Sequence, residues 1–390
     1  MALNQKSSNC DYCRLSDYAT IAPYHCVCGK VHGNLPGKRP TVVVARENRH
    51  NNCRHRGDVV GKIDCGCAGG KVYRCDLHKV CILRDLPNTT ALKPKNVCET
   101  CTDRESIDQS TVAIITTHWN PLKFHRLRET YVEWRPSIKF DVLCMELCVD
   151  YGPEIPESQV IYGNWRNVLW QKERMINIAL EYLPPEIKYV CWIDHDCVFS
   201  DPYWLEKSIE KIDRGVDVIQ PWSEIRYWDL DRKVIRQQPS AGWEAKQGRL
   251  AQSSPGGVWV ASRKWLDSIG GLYDRNIVGG GDAVFFSGIT KQRRDFVKKQ
   301  SKLSQLHINE WCEKLEANWD ILPGHINHIW HGDVNDRQYR TRNIILASTN
   351  FDPENHVQIE NNGLLGFTES CPEVLVRKIK RYFLQRKDDG

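Results

Sequence analysis

No stretch of the 390-residue sequence approaches the roughly 18 consecutive apolar residues that a membrane-spanning helix requires, and the mean hydropathy is −0.52. The first 13 residues, MALNQKSSNCDYC, also lack the apolar core of a secretory signal peptide. We therefore expect a cytoplasmic protein with no membrane span. A composition of 41% hydrophobic and 26% charged residues excludes a wholly disordered chain and a fibrous one. The mass of 45.2 kDa leaves room for two domains.

Cysteine, in contrast, is abundant and unevenly distributed. Eleven of the 17 cysteines precede residue 102. Residues 1–105 also hold 17 Lys and Arg but only ten Asp and Glu, a net charge of +7, which leaves −2 for the rest of the chain. Because disulfides are rare in a reducing compartment, this cysteine content favours metal ligation.

The spacing of the N-terminal cysteines is typical of zinc ligands. Pairs separated by one or two residues, and the run Cys75-x-x-His78-x-x-Cys81, place several ligands on one ion. We expect two or three structural Zn²⁺ ions, with a disulfide knot, free thiols or an iron–sulfur cluster as alternatives. The candidate ligands are Cys10, Cys13, Cys26, Cys28, Cys53, Cys65, Cys67, Cys75, His78, Cys81, Cys98 and Cys101.

After the cysteine-rich segment, apolar runs alternate with helical patterns. This order predicts an α/β fold with a mostly parallel sheet flanked by helices, preceded by a small zinc-stapled module. We divide the chain into a zinc-binding module (1–105), an α/β domain (106–350) and a C-terminal extension with a basic amphipathic helix (351–390). Strands are predicted at 112–116, 139–147, 188–194 and 216–221, and helices at 170–183 and 201–215.

The third predicted strand leads directly into Asp194-His195-Asp196. Two carboxylates at the C-terminal end of a central strand project into the crevice where open α/β sheets bind ligands. Carboxylate oxygens suit a hard divalent ion such as Mn²⁺ or Mg²⁺, which offsets the charge of a leaving diphosphate. The alternative is an acidic turn before the next helix.

With three further motifs in order, residues 110–350 resemble GT-A-type nucleotide-sugar glycosyltransferases. Asp194–Asp196 is similar to the family's DxD metal motif, and the sequence SPGGVW at 254–259 to its glycine-containing donor loop. The sequence GGGD at 279–282 resembles the acidic motif that supplies the catalytic carboxylate, with Gly281 where the family has a glutamate. The histidines of 325–331 match the family's C-terminal metal ligand.

The resemblance implies a GT-A-like, Rossmann-type fold and transfer of a hexose-like sugar from a nucleotide-sugar, expected to be a UDP-sugar. Asp282 would be the base of an inverting displacement, although a retaining route stays open. Asp194, Asp196 and His331 would hold Mn²⁺ or Mg²⁺, with His325 and His328 as rivals of His331. For Arg174 the alternative role is a surface salt bridge. The residues expected to bind the nucleotide-sugar are Thr116, Thr117, Asn120, Arg174, His195, Gly256 and Gly257.

The acceptor is less constrained by the sequence. A basic zinc module and two basic stretches, 291–302 and 376–387, fit contacts with a phosphate backbone, as a DNA-modifying enzyme acting on a hydroxylated base would need. A polypeptide or a small glycan acceptor is the alternative. Two other functional classes remain: a non-catalytic zinc-stapled binding protein on a degenerate transferase fold, and a metal-dependent nucleotidyltransferase.

Overall fold

The computed structural model describes residues 107–390, except 250–251, 293–294, 296, 334–335, 340, 387–388 and 390, together with the backbone of three short N-terminal strands. A division between Ser106 and Ile107 separates two units. In the first unit, β1 (Lys62–Ile63), β2 (Gly70–Tyr73) and β3 (Cys81–Leu83) form an antiparallel sheet in the order β1-β2-β3.

The second unit is built on a seven-stranded sheet with the order β13-β9-β12-β7-β4-β5-β6. Strands β4 to β7 are parallel to their neighbours within that group, β13 is parallel to β9, and β12 runs antiparallel to both β7 and β9. The predicted mostly parallel sheet is therefore confirmed. The strands are β4 (Val112–Trp119), β5 (Val142–Val149), β6 (Gln159–Gly163), β7 (Tyr189–Ile193), β9 (Val218–Gln220), β12 (Val258–Ser262) and β13 (Trp319–Ile321).

A smaller sheet with the order β11-β10-β14-β8 continues from the end of β7. Its strand β8 begins two residues after Asp194-His195 and pairs with β14 in antiparallel register, with His328 opposite Cys197. This pairing brings the C-terminal histidines to the DxD motif. The remaining strands are β8 (Cys197–Phe199), β10 (Glu224–Trp228), β11 (Val234–Pro239), β14 (His325–His328), β15 (Val357–Ile359) and β16 (Leu365–Phe367), the last two forming a separate hairpin-like pair.

Helices cover the sheet, as predicted. The helix expected at 170–183 is confirmed as Lys172–Tyr182, ending before Pro184-Pro185, and that expected at 201–215 as Trp204–Asp213. The helices are α1 (His125–Trp134), α2 (Lys172–Tyr182), α3 (Trp204–Asp213), α4 (Ala241–Lys246), α5 (Arg263–Ser268), α6 (Gly281–Thr290), α7 (Lys302–Lys314), α8 (Arg342–Ser348) and α9 (Glu373–Leu384).

Successive strand residues face two different cores. In β4, Ile115 packs into a core with α2 and α6, whereas its neighbour Ile114 packs into a core with α1 and α3. Both are fully buried, as expected for a central strand covered on both faces. Residues after 350, including Phe351 and Ile379, belong to the first of these cores. The two cores hold the strand ends in place at the edge where the cleft opens.

Candidate active site

A cleft of about 1460 Å³ opens at the C-terminal ends of β4 and β7. Its lining includes all four predicted metal and catalytic residues: Asp194, Asp196, Asp282 and His331. Ligands of open α/β sheets bind outside the carboxyl ends of the strands, and the cleft has that position. Four motifs distant in sequence therefore meet at one site.

Asp196, His328 and His331 form one compact group, which we call the cation group. Their ligand atoms lie within 4.8 Å of one another, with Asp196 Oδ2 at 2.8 Å from His331 Nε2 and 3.3 Å from His328 Nε2. The backbone N–H of Ile329 donates to the Asp196 carbonyl at 2.8 Å, which fixes the two segments together. One carboxylate oxygen and two imidazole nitrogens are a donor set that suits a first-row divalent metal.

The protonation states of this group also suit a cation. Burial lowers the pKa of both His328 and His331, so both imidazoles are neutral near pH 7. Burial by itself would raise the pKa of Asp196, but the two histidines hold it well below its ordinary value. Neutral imidazoles and an ionised carboxylate are the forms that bind metals.

Asp194 has a different partner. Lys172, the first residue of α2, places its Nζ 2.7 Å from Asp194 Oδ1 and 3.1 Å from Asp282 Oδ2. Although burial opposes its charged form, the carboxylates around it raise the pKa of Lys172 well above its ordinary value. Sequence reasoning missed Lys172, because its position depends on α2 lying beside both motifs.

A buried carboxylic acid, Glu173, lies behind the glycines of the acidic motif. A Cβ on Gly281 would lie 2.1 Å from Glu173 Oε1, so only glycine leaves room for this side chain. Burial, followed by the charge of Asp282, raises the pKa of Glu173 to about 8. Trp170 Nε1 donates to Glu173 Oε2 at 3.0 Å, whereas Oε1 has no hydrogen-bond partner among the residues that the structure describes. Sequence reasoning missed Glu173.

The predicted donor loop lies against the predicted base. A Cβ on Gly256 would lie 2.8 Å from Asp282 Oδ2, and Gly257 adopts φ of +94°, which favours glycine. The carbonyl of Gly257 accepts from the Asp194 N–H at 2.8 Å. Both glycines therefore bring backbone close to the two carboxylates.

His195 points away from the cation group into an aromatic pocket. Its ring centroid lies 5.5 Å from that of His118 and 5.8 Å from that of Tyr131. Burial, and then the proximity of His118, lower the pKa of His195 to about 4, so the ring is neutral. Within the described residues its buried Nδ1 has no hydrogen-bond partner. His195 also lines the cleft.

The other predicted nucleotide-sugar residues divide between the cleft and the interior. Thr117 lines the cleft, but Thr116 is buried and its Oγ1 donates to the Ile193 carbonyl at 2.7 Å. Asn120 is also buried, with Nδ2 donating to Glu154 at 2.8 Å. These two side chains hold the strand ends rather than line the cleft.

Arg174 is placed in an ion-pair network on the opposite side of α2 from the cleft. Its Nη2 lies 3.1 Å from Glu181 Oε1 and its Nη1 3.4 Å from Asp274 Oδ2, while Nε donates to the Gly363 carbonyl. It is not among the residues that line the cleft. The structure thus brings Arg174 to the salt-bridge environment that was its alternative role.

The candidate zinc ligands cannot be placed in the same way. Only the backbone of Cys81, at the start of β3, lies within the described residues. The other eleven candidates, from Cys10 to Cys101, lie outside the described residues. Zinc binding therefore stays a prediction. Among the described helices, none is both long and apolar enough to cross a membrane.

Comparisons with known proteins do not assign the chain to a family. No protein-family model and no curated protein sequence match it.

Solved structures that it resembles include a 4-diphosphocytidyl-2C-methyl-D-erythritol synthase from Anaerococcus prevotii (10% identity over 56% of this chain and 88% of that chain, TM-score 0.27). They also include glucosyl-3-phosphoglycerate synthase from Mycobacterium tuberculosis, solved with Mn²⁺ and UDP-glucose (12%, 60% and 77%, TM-score 0.31). A third is a mannosyltransferase from Pyrobaculum calidifontis, solved with GDP-mannose and Mn²⁺ (10%, 60% and 62%, TM-score 0.34). TM-scores this low carry no functional conclusion, so the function is inferred from the cleft.

Proposed function

We propose that the protein is a metal-dependent glycosyltransferase that moves a sugar from a nucleotide-sugar to an acceptor hydroxyl. The observation that carries the proposal is the meeting of the Asp196, His328 and His331 group with Asp194, Lys172 and Asp282 in one cleft. A diphosphate leaving group and a hydroxyl nucleophile need a cation and a base, and the cleft offers groups for both.

The cation would be held by Asp196, His328 and His331. Mn²⁺ fits this set better than Mg²⁺, because two of the three ligands are imidazole nitrogens. When bound, the cation neutralises charge that develops on a diphosphate leaving group. Asp194 as a fourth ligand, which the DxD pattern predicts, requires its carboxylate to exchange Lys172 for the cation.

Asp282 is proposed as the base that takes the proton from the acceptor hydroxyl. The Lys172 ammonium lies 3.1 Å from this carboxylate and fixes its direction, while Gly256 leaves space for it. An inverting displacement follows from this role, because a single base activates the acceptor hydroxyl for direct attack on the anomeric carbon. A UDP-hexose donor is proposed from the resemblance of the motifs.

The first experiment measures Mn²⁺-dependent release of nucleoside diphosphate from a panel of nucleotide-sugars. We expect release by the full chain and at least a 100-fold loss in Asp196→Asn and His331→Ala, because each variant removes a cation ligand. His325→Ala is the matched control, since His325 begins β14, the strand that ends at His328, and contacts Arg226 instead of the cation group. Absence of release from every donor, or equal activity of Asp196→Asn, would overturn the proposal. Thermal protection by nucleoside triphosphates alone would favour a nucleotidyltransferase.

The N-terminal residues are proposed to form a zinc-binding module that engages the acceptor macromolecule. Its net charge of +7 and its twelve candidate ligands support this role. Metal analysis of the purified chain is expected to find two or three Zn²⁺ per molecule. A nucleic acid with a hydroxylated base is the acceptor that best suits the charge, and a polypeptide is the alternative.

A further inference from the structure

One wall of the cleft carries a buried cation without a counter-charge. Arg342, at the start of α8, is 7% exposed and lines the cleft. Among the described residues no carboxylate lies within ion-pair distance of its guanidinium group, and its Nε has no hydrogen-bond partner. Within the described part of the chain the guanidinium group makes one hydrogen bond, a long one from Nη1 to Tyr382 Oη at 3.4 Å. A buried charge without a partner is costly, so this group is suited to an anion that enters from the cleft.

A second arginine adds to the positive potential. The guanidinium groups of Arg342 and Arg386 lie 5.7 and 5.4 Å from the ring centroid of Trp170, and both residues line the cleft. The Arg342 guanidinium also lies 4.7 Å from the Tyr339 ring centroid. Desolvation of its hydroxyl would raise the pKa of Tyr339, but Arg337, Arg342 and Arg386 bring that pKa below its ordinary value. Two guanidinium groups close to one indole offer several N–H donors, and such donors suit phosphate oxygens.

The position of Arg342 relative to the base indicates which substrate carries the anion. A Cβ on Gly279 would lie 3.0 Å from Arg342 Nη1 and 3.0 Å from the Trp170 ring, and Gly279 begins the short loop that ends at Asp282. Among the described residues no hydrogen bond or ion pair joins Arg342 to Asp196, His328 or His331, the group that would face the donor diphosphate; Tyr339 and Arg337 lie between Arg342 and His331. An anion on Arg342 therefore belongs to the molecule that is brought to Asp282.

We propose that Arg342 and Arg386, which both lie beside Trp170, form a phosphate-binding subsite for the acceptor, separate from the donor site. The acceptor is thus a phosphate-bearing molecule, either a small phosphate monoester or a nucleic acid presenting a phosphodiester. This proposal rests on the proposed function for the identity of the acceptor, but the subsite itself can be tested without turnover.

The experiment titrates inorganic phosphate into the full chain by calorimetry, first alone and then with saturating UDP and Mn²⁺. We expect phosphate to bind in both conditions, since the subsite lies apart from the cation group. Arg342→Gln should weaken phosphate binding at least tenfold and leave UDP–Mn²⁺ binding unchanged, because a charge-assisted hydrogen bond is lost. Arg342→Lys, which keeps the charge but not the fork, should give an intermediate loss. Arg377→Gln, at an exposed position on α9, is the matched control.

Each outcome is decisive. Competition between UDP–Mn²⁺ and phosphate would overturn the proposal by placing the anion in the donor site, and so would unchanged phosphate binding in both Arg342 variants with native melting temperatures. Failure of UDP–Mn²⁺ to bind while phosphate binds would instead contradict the proposed function. If a 12-nucleotide single strand displaces phosphate, the acceptor is a nucleic acid. If the strand does not displace phosphate, the acceptor is a small phosphate monoester.

Discussion

At the residue scale, the part of the site around Lys172 concentrates carboxyl groups. Glu173, Asp194, Asp196 and Asp282 lie together with one ammonium, that of Lys172, between them. Burial, and then the neighbouring carboxylates, raise the pKa of Asp194 to about 7 despite its ion pair with Lys172. An excess of negative charge in a buried place favours either proton uptake or a bound cation.

Glu173 gives a test of this crowding. Its pKa is raised to about 8 in the folded state, so the unfolded chain loses this proton at lower pH. The contribution of Glu173 to the free energy of unfolding is therefore fully present below about pH 4.5. It is lost as the pH rises through 8. Glu173→Gln, which mimics the protonated form, should match the wild type at pH 5 and exceed it at pH 8.5 by about 2–4 kcal/mol in chemical denaturation.

The control for this measurement is Glu181→Gln on the same helix. Glu181 is exposed and pairs with Arg174, so its variant should not gain stability between pH 5 and 8.5. A Glu173→Gln curve that runs parallel to the wild-type curve over this range would mean that Glu173 is ionised in the native protein.

At the scale of elements, the C-terminal helix shows how an amphipathic pattern is used. The sequence has apolar residues at 376, 379, 382 and 383, with basic residues on the opposite face. In the structure Leu375, Ile379, Tyr382 and Phe383 are buried, and Phe383 packs edge-on against Trp119 with ring centroids 4.6 Å apart. The helix α9 is thus a structural part of the cleft wall, and its basic face is exposed.

Ile379→Ala should destabilise the protein by about 3 kcal/mol, because it removes buried methyl groups and leaves a cavity. Arg381→Ala, on the exposed face of the same helix, should change stability by less than about 0.5 kcal/mol. The free energy of unfolding from urea titration measures both. Equal effects would contradict the packing of α9 on the core.

At the scale of the whole molecule, the candidate active-site cleft and both main cores are formed within residues 107–390. The net charge of the two parts differs in sign, +7 for residues 1–105 and −2 for the remainder. The candidate active-site residues therefore lie in the second part of the chain, whereas the excess of positive charge lies in the first part.

A fragment of residues 107–390 is expected to fold cooperatively and to show the same rise in melting temperature with Mn²⁺ as the full chain, reversed by EDTA. The same fragment carrying His328→Ala should lose this rise, because the variant removes a cation ligand, and one carrying His325→Ala should keep it. A fragment that is insoluble, or stable but indifferent to Mn²⁺, would show that the first 106 residues are needed to form the site.

Much of the fold was predictable because the signals are local. The apolar runs that became β4, β5, β7 and β9 and the periodic helix α2 were assigned within a few residues. Strand β12 was not predicted as a strand, although its sequence was recognised as the end of the donor loop. Strand β6 was missed because its residues are half exposed and follow no simple alternation.

The sequence alone determined the α/β class of the second unit and the order of four motifs, because apolar runs and acidic residues form short-range patterns. That Asp194, Asp196, Asp282 and His331 share one cleft was expected only from the resemblance of those motifs to a known family. The tertiary structure decided which of those groups touch. It paired Asp196 with both His328 and His331, gave Asp194 and Asp282 a common lysine, and placed Arg174 away from the cleft. Contacts between residues a hundred positions apart depend on strand order and helix placement, which no local pattern encodes.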